Sequence, residues 1–251
     1  MTRGDVLDQQ GIPLDTSAAY CPGTIVYYYR HLRDEPVMPV DEAILFQDDL
    51  LVIADKPHFL PVISTGRFVR ESLLARLKCK LGIESLAPMH RIDRDTAGVV
   101  AFSIQPTTRD RYAALFRNRC VTKIYEAIAP TSSSQFFPLV RRSRLVEGAS
   151  YMQMCEVDGP PNSESHIDIL QTRDGWARYK LSPITDKKHQ LRAHMAALGI
   201  PLRNDRIYPT LRPLEADNYD QPLQLLAKSL TFTDPINHCR REFVSRRTLL
   251  F

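Results

Sequence analysis

The chain reads as an α+β protein built on a mostly antiparallel sheet, and three observations predict it. Apolar, β-branched runs of strand length recur between residues 43 and 234, whereas helical spacing occurs in only a few places. Short turn signals, Asp48-Asp49 and Asp174-Gly175, join neighbouring runs as hairpins. The regular strand–helix–strand alternation of a parallel sheet does not occur.

Residues 1–42 form a polar, proline-punctuated arm around one apolar run, "TIVYYY" (24–29), predicted as a strand after a turn at Pro22-Gly23. The body, 43–251, opens with "AILFQDDLLVIADKP" (43–57), a hairpin. "VRESLLARLKCKLG" (69–82) places Leu73, Leu74, Leu77 and Leu81 at helical spacing and stops at Gly82. "TAGVVAFSI" (96–104) is a buried strand. "TTRDRYAALFRN" (107–118) is a helix in which Thr107 can cap free N–H groups and Asp110 complements the helix N-terminus. "KIYEAIA" (123–129) is a strand, and "HIDILQTRDGWARYKLSPI" (166–184) alternates on both sides of its Asp-Gly turn. "HQLRAHMAALG" (189–199) is a helix with Leu191, Met195 and Leu198 on one face and Gly199 and Pro201 as stops. Arg192, about 100° from Leu191, falls at the edge of that buried stripe. "LQLLAKSLTFTD" (223–234) is a further strand.

Composition narrows the function. With 251 residues, 43% of them hydrophobic, the chain can bury a proper core as one large domain or two small ones. No run approaches the roughly 18–20 apolar residues of a membrane span, and the first residues lack a secretory signal, so no membrane partner and a cytoplasmic location are expected. The cysteines 21, 79, 120, 155 and 239 are odd in number and scattered, the pattern of reduced thiols. His189 and His194 lack the spacing of a zinc-binding helix, and there is no Gly-rich phosphate loop and no G-x-S-x-G. An enzyme of this composition is expected to work with side chains alone, without metal or cofactor. Net charge is +4, and "KCK" (78–80), "RRSR" (141–144), "DKKHQLR" (186–192) and "RREFVSRR" (240–247) cluster the cations. They are either solvated faces or a phosphate-tracking surface, with Lys187, Lys188, Arg240, Arg241, Arg246 and Arg247 as candidate phosphate contacts.

The segment "MHRIDRDTAG" (89–98) concentrates Arg91, Asp93, Arg94 and Asp95 between apolar runs. On an extended segment Arg91, Asp93 and Asp95 share one side. A carboxylate among cations stays ionised at neutral pH, which suits a nucleophile, a base or an electrostatic partner; the other reading is an ion-paired loop.

"HRIDRDTAGVVAF" resembles the H-R-L-D-R-(D/E)-T-S-G motif of the RluA-type pseudouridine synthases, and further motifs follow in the family's order. "DDLLVIADKPHFLPV" (48–62) is similar to the family's opening segment. "KIYEAI" (123–128) is similar to its K-x-Y-x-A strand, and "HQLRAHMAALGIPLRNDRIY" (189–208) to its H-Q-I-R-x-H helix and G-D-x-x-Y turn. "LLAKSLTFTDP" (225–235) is similar to its closing strand, so the resemblance covers about 43–235. Asp186-Lys187-Lys188 stands where the family has Gly-Arg-Thr, and Asn204 where it has glycine, departures that bear on substrate identity. The small N-terminal RNA-binding module of many relatives is incomplete here, with "TIVYYYR" as its possible remnant.

The resemblance implies the pseudouridine synthase fold, a mixed, mostly antiparallel sheet with flanking helices and a central catalytic cleft. It implies a cofactor-free isomerisation of uridine to pseudouridine in a stem-loop of structured RNA, ribosomal or transfer, by a monomer. Asp93 matches the catalytic aspartate, Arg192 the arginine paired bidentately with it, and Tyr125 the tyrosine against the target base. Arg91 matches the arginine that fills the gap left by the extruded base. His90, His189 and Lys56 fall at motif positions, as scaffolding or phosphate contacts beside Lys187 and Lys188.

Overall fold

A computed structural model describes residues 4, 6–28, 35, 37–66, 68–148, 150–213 and 216–251. The chain divides into two units, Met1–Pro36 and Val37–Phe251, a little before the expected boundary at 42/43. Met38 explains the difference, because it is buried with Phe59 and Phe68 of the larger unit. In the first unit β1 (Val6–Leu7) pairs antiparallel with β2 (Tyr27–Tyr28). The strand expected over 24–29 is therefore limited to two residues, and Tyr29 lies outside the described residues.

The second unit begins with the hairpin β3 (Ala43–Gln47) and β4 (Leu51–Lys56). Asp48 makes its turn: one carboxylate oxygen accepts the N–H groups of Leu50 and Leu51 at 2.9 and 2.8 Å. Helix α1 (Leu73–Leu81) starts where the Ser72 hydroxyl accepts from the Ala75 N–H and ends at Gly82, in the left-handed conformation. Then follow β5 (Ala87–Pro88), β6 (Ala97–Ser103) and α2 (Arg109–Arg117). The cap of α2 is Thr108 rather than Thr107, and its hydroxyl donates back to the Gln105 carbonyl instead of capping the helix. The chain continues as β7 (Val121–Pro130), β8 (Leu139–Glu147), β9 (Met154–Val157), β10 (Ser163–Arg173), β11 (Trp176–Pro183), α3 (Gln190–Ala197), β12 (Leu225–Thr233) and β13 (Arg240–Val244).

The strands form one sheet in the order β3-β4-β6-β12-β7-β11-β10-β8-β9, with β13 added to β12 and β5 to β6. Among the described residues only β6 and β12 pair in parallel. Strands β4 and β6 are buried on both faces, which explains their unbroken apolar sequences. Val52, Ala54, Val100 and Phe102 meet Leu73 and Leu77 of α1; Leu51, Ile53, Val99 and Ala101 meet Tyr112 of α2. Helix α3 covers Tyr125, Ala127, Tyr179 and Leu181. Ile92 packs against the clusters under both α1 and α3, so the charged 89–98 segment lies between them. No helix among the described residues is long and apolar enough to cross a membrane.

Two basic clusters turn out to be strands held by ion pairs. On β8, Arg141 pairs with Glu156 and Arg142 with Glu164. On β13, Arg241 bridges Asp48 and Asp234, while beyond it Arg247 and the Arg246 N–H hold the buried Asp55. Arg240 stays exposed beside Glu242. Arg241 and Arg247 are thus each paired with carboxylates of this chain, which leaves Arg240 and Arg246 as the more available cations of the cluster.

Helix α3 is buried more completely than its periodicity suggests, from Gln190 through Met195. Its polar residues are satisfied internally. Gln190 donates to the Glu164 carbonyl and the Ser165 hydroxyl, both at 2.9 Å. His194 bonds the Ser165 hydroxyl through Nδ1 and the Ser163 and Ser143 hydroxyls through Nε2, at 3.0–3.1 Å.

Two predictions follow from this packing. Gly98 sits at φ 116° where β6 meets β12, and an added Cβ would lie 2.2 Å from the Ala227 carbonyl oxygen, so Gly98→Ala is expected to cost more than about 3 kcal/mol in urea denaturation. Burial pushes His58, His90 and His194 from an ordinary 6.5 down to about 4. Between those values the unfolded chain binds protons that the folded chain refuses. The contribution of these histidines is therefore full above about pH 6.5 and falls towards about pH 4, by about 3 kcal/mol for a single such histidine, and His194→Gln is expected to flatten the slope.

Candidate active site

The segment 89–96 is a loop with a tight turn that leads into β6 at Ala97, not an extended strand. The Thr96 N–H donates to the Asp93 carbonyl at 3.2 Å, reversing the chain over Arg94 and Asp95. Arg91 and Asp93 therefore line a cleft, whereas Asp95 does not and instead accepts from Arg94 Nη1 at 3.1 Å. Arg91 is exposed at the cleft and makes no ion pair among the described residues. The expected one-sided alignment of Arg91, Asp93 and Asp95 fails because the turn rotates Asp95 out of register.

The cleft has a volume of about 620 Å³. One wall is this loop, another is the segment from Pro183 into α3, and Tyr125 and Leu225 reach it from the sheet. Arg192 is its most constrained member, only 2% exposed. Its Nε and Nη2 donate to the two carboxylate oxygens of Asp205 at 2.8 and 2.7 Å, and Nη1 donates to Asp93 Oδ2 at 3.3 Å. The bidentate partner is thus Asp205, and Asp93 receives only the remaining nitrogen. Asp205 also accepts the N–H groups of Ile207 and Tyr208, so it fixes the turn after α3 as well as the arginine. Burial alone would lower the Arg192 pKa, but Asp205, Asp93 and Asp95 outweigh it and move it up. The cation is permanent.

Asparagine at 204 has a conformational reason. It holds φ 62°, the left-handed region that asparagine tolerates better than most side chains, and its amide donates to the Pro222 carbonyl at 3.1 Å. This residue shapes the turn that presents Asp205.

The other expected site residues separate into two groups. His189, which caps α3 in the left-handed conformation, has Nε2 3.8 Å from Asp93 Oδ2. Burial lowers its pKa against the pull of Asp93. Tyr125 is almost fully buried at the cleft; burial first, then Asp186 and Asp93, raise its hydroxyl far above the ordinary tyrosine range, so it is a neutral donor. Lys187 and Lys188 line the mouth, where Lys188 also donates to the Tyr151 carbonyl. Asp186 pairs with Lys123 at 2.9 Å.

Lys56 is internal, whereas His90 is half-buried and lines the cleft. His90 stacks on Phe116 and accepts the Ala101 N–H at its Nε2. Lys56 is buried, and its ammonium donates to the carbonyls of Pro57, Leu60 and Arg94 at 2.7–2.9 Å. Burial pushes its pKa down to about 7, opposed by Asp95 and Asp93. With three backbone acceptors Lys56 has no proton left for a phosphate, so of its two expected roles, scaffolding or phosphate contact, the structure supports loop scaffolding. Asp205, Asp217 and His58 were not singled out from the sequence, and Arg94 only as one of the four charges of the 89–98 segment. For Asp205 a signal was present, since it occupies the acidic position of the turn following the helix.

Residues 50–197 match the family described as RNA pseudouridylate synthase. The dual-specificity RNA pseudouridine synthase RluA of Pasteurella multocida is 30% identical over 199 residues, 77% of this chain and 87% of that one. The mitochondrial tRNA pseudouridine(32) synthase of Saccharomyces cerevisiae is 27% identical over 198 residues; that stretch is 77% of this chain but only 43% of the longer yeast protein. Among solved structures, human RNA Pseudouridylate Synthase Domain Containing 4 superposes with a TM-score of 0.63 at 26% identity, covering 82% of this chain and 88% of that one.

The Arg192–Asp205 pair predicts a large stability effect. Asp205→Asn leaves a buried guanidinium without its forked counter-ion and is expected to cost about 3–5 kcal/mol in urea denaturation.

Proposed function

This chain belongs to the RNA pseudouridylate synthase family and is an RNA pseudouridine synthase, an isomerase, and from that premise we propose that Asp93 is its catalytic carboxylate. The observation that carries this reading is the contact of Asp93 Oδ2 with the permanently charged Arg192, inside a cleft with room for one extruded nucleoside. At 29% side-chain exposure, Asp93 is the carboxylate of that cluster which a substrate can touch, whereas Asp205 is shut away.

The reaction breaks the bond from the uracil nitrogen to C1′, turns the base, and joins C1′ to a uracil carbon, which loses its proton while the freed nitrogen gains one. Asp93 either attacks C1′ or takes a proton from the sugar, and both routes require its carboxylate to be held close to the reacting carbon. Arg192 orients that carboxylate with a single hydrogen bond and cannot take the proton itself. Tyr125 supplies a ring for the uracil to lie on and a hydroxyl that keeps its proton at neutral pH. The reaction moves no net electrons and, on this reading, needs no metal or cofactor.

Arg91, exposed and without an ion pair among the described residues, takes the place of the extruded base; a planar cation there recovers part of the few kcal/mol of unstacking. Lys187 and Lys188 at the mouth meet backbone phosphates. The preferred substrate is a stem-loop of transfer or ribosomal RNA, supported by the transfer-RNA and dual-specificity names of the relatives. The Met1–Pro36 unit, with Tyr20, Tyr27 and Tyr28 exposed, is assigned as the remnant of an RNA-binding module.

Asp93→Asn keeps the size of the side chain and removes its charge. It is expected to retain fold and RNA affinity and to abolish isomerisation in single-turnover assays, with Asp95→Asn far milder. More than a few per cent of wild-type turnover in Asp93→Asn would sink the assignment, and a reversal of the two results would move the role to Asp95.

A further inference from the structure

Arg94, the neighbour of Asp93, is gripped from across the sequence. Its Nη1 donates to Asp217 Oδ1 at 3.1 Å and its Nη2 to Asp217 Oδ2, a fork on both carboxylate oxygens. The guanidinium carbon lies 5.0 Å from the Phe68 ring centroid and 5.9 Å from that of Phe59. Phe59 is buried at φ 67°, a conformation that a bulky residue adopts only at a cost. Its ring meets Tyr219 edge-on at 5.0 Å. The segment around Asp217–Tyr219 is therefore fastened twice to the site: once on the side chain beside Asp93, once on the strained aromatic that packs against it.

Asp93 itself is loosely held. Its carboxylate receives one hydrogen bond of 3.3 Å and remains partly exposed, so its direction must come from its backbone. That backbone is anchored from one side, where Lys56 donates to the Arg94 carbonyl at 2.9 Å and the His58 ring to the Asp95 carbonyl at 2.7 Å. The Arg94 side chain is the tether on the other side, and it ends on Asp217, whose Oδ1 also accepts from Arg206 Nη1 at 3.3 Å. Resting on the assignment of Asp93 as the catalytic carboxylate, we propose that Asp217 is a positioning residue for the isomerisation, aiming Asp93 through its fork on Arg94. The energetic reason is steep: a displacement of about 1 Å at a reacting group can cost about a hundredfold in rate.

The test is a double-mutant cycle on the single-turnover rate constant, using Arg94→Gln, Asp217→Asn and the pair, with RNA affinity measured alongside. Each single substitution is expected to lower the rate at saturating RNA about tenfold with affinity nearly unchanged, and the pair to be no slower than the slower single. Additive losses, a loss recovered by raising RNA, or a lowered melting temperature with unchanged rate would each overturn the proposal. Arg94→Lys keeps the charge but cannot make the fork, so it carries the same expectation should Asp217→Asn fail to fold. Asp93→Asn run in parallel separates the two readings. If it abolishes turnover while Asp217→Asn is neutral, only the positioning role fails; if it retains turnover, the Asp93 assignment fails first.

Discussion

The buried guanidinium of Arg192 is the constraint around which the site is arranged. A permanent cation that is almost fully enclosed cannot be left without a counter-ion, and the fold supplies one from outside the helix, Asp205. That requirement shapes what lies near it. Asn204 takes a left-handed conformation to present the carboxylate, the same carboxylate ties down the N–H groups of Ile207 and Tyr208, and the Tyr208 ring lies 5.6 Å from the guanidinium. Only one nitrogen is left over, and it reaches Asp93. The division of labour is economical in charge: Asp205 neutralises, and Asp93 remains a partly exposed carboxylate in the cleft.

The helix that carries Arg192 is held by neutral groups. Gln190 and His194 bond to hydroxyls and carbonyls of β8 and β10, and burial keeps His194 uncharged near neutral pH. A charged residue in either place would add a second desolvation cost beside Arg192. Facing it, the Asp93 turn is clasped by Lys56, His58 and Asp217 through groups that never enter the cleft chemistry. The two walls thus meet at one hydrogen bond of 3.3 Å between Arg192 and Asp93.

Much of this was legible in the linear chain, and particular residues show where legibility ended. Alternating apolar runs and the turns at Asp48 and Asp174-Gly175 mark their hairpins because those signals are local. β8 and β13 were read as basic clusters because their arginines are paired with carboxylates on other segments, such as Glu156 for Arg141 and Asp48 for Arg241. Helical periodicity placed Arg192 at the edge of a buried stripe, but α3 is enclosed through Gln190–Met195, and an arginine can be enclosed only when its counter-ion is supplied from elsewhere. Asn204, a departure from the family's glycine, holds the left-handed backbone conformation that glycine would supply.

The sequence by itself determined the α+β class and the hairpins, which depend on residue type and spacing alone, and its resemblance to the RluA-type motifs grouped Asp93, Tyr125 and Arg192. The tertiary structure decided which carboxylate each cation serves: Asp205 rather than Asp93 for the Arg192 fork, Asp217 for Arg94, and three backbone carbonyls for Lys56. Charge pairing depends on distances of a few ångströms between residues that are up to 193 positions apart. No local pattern encodes such a distance; only the packed sheet and its helices set it.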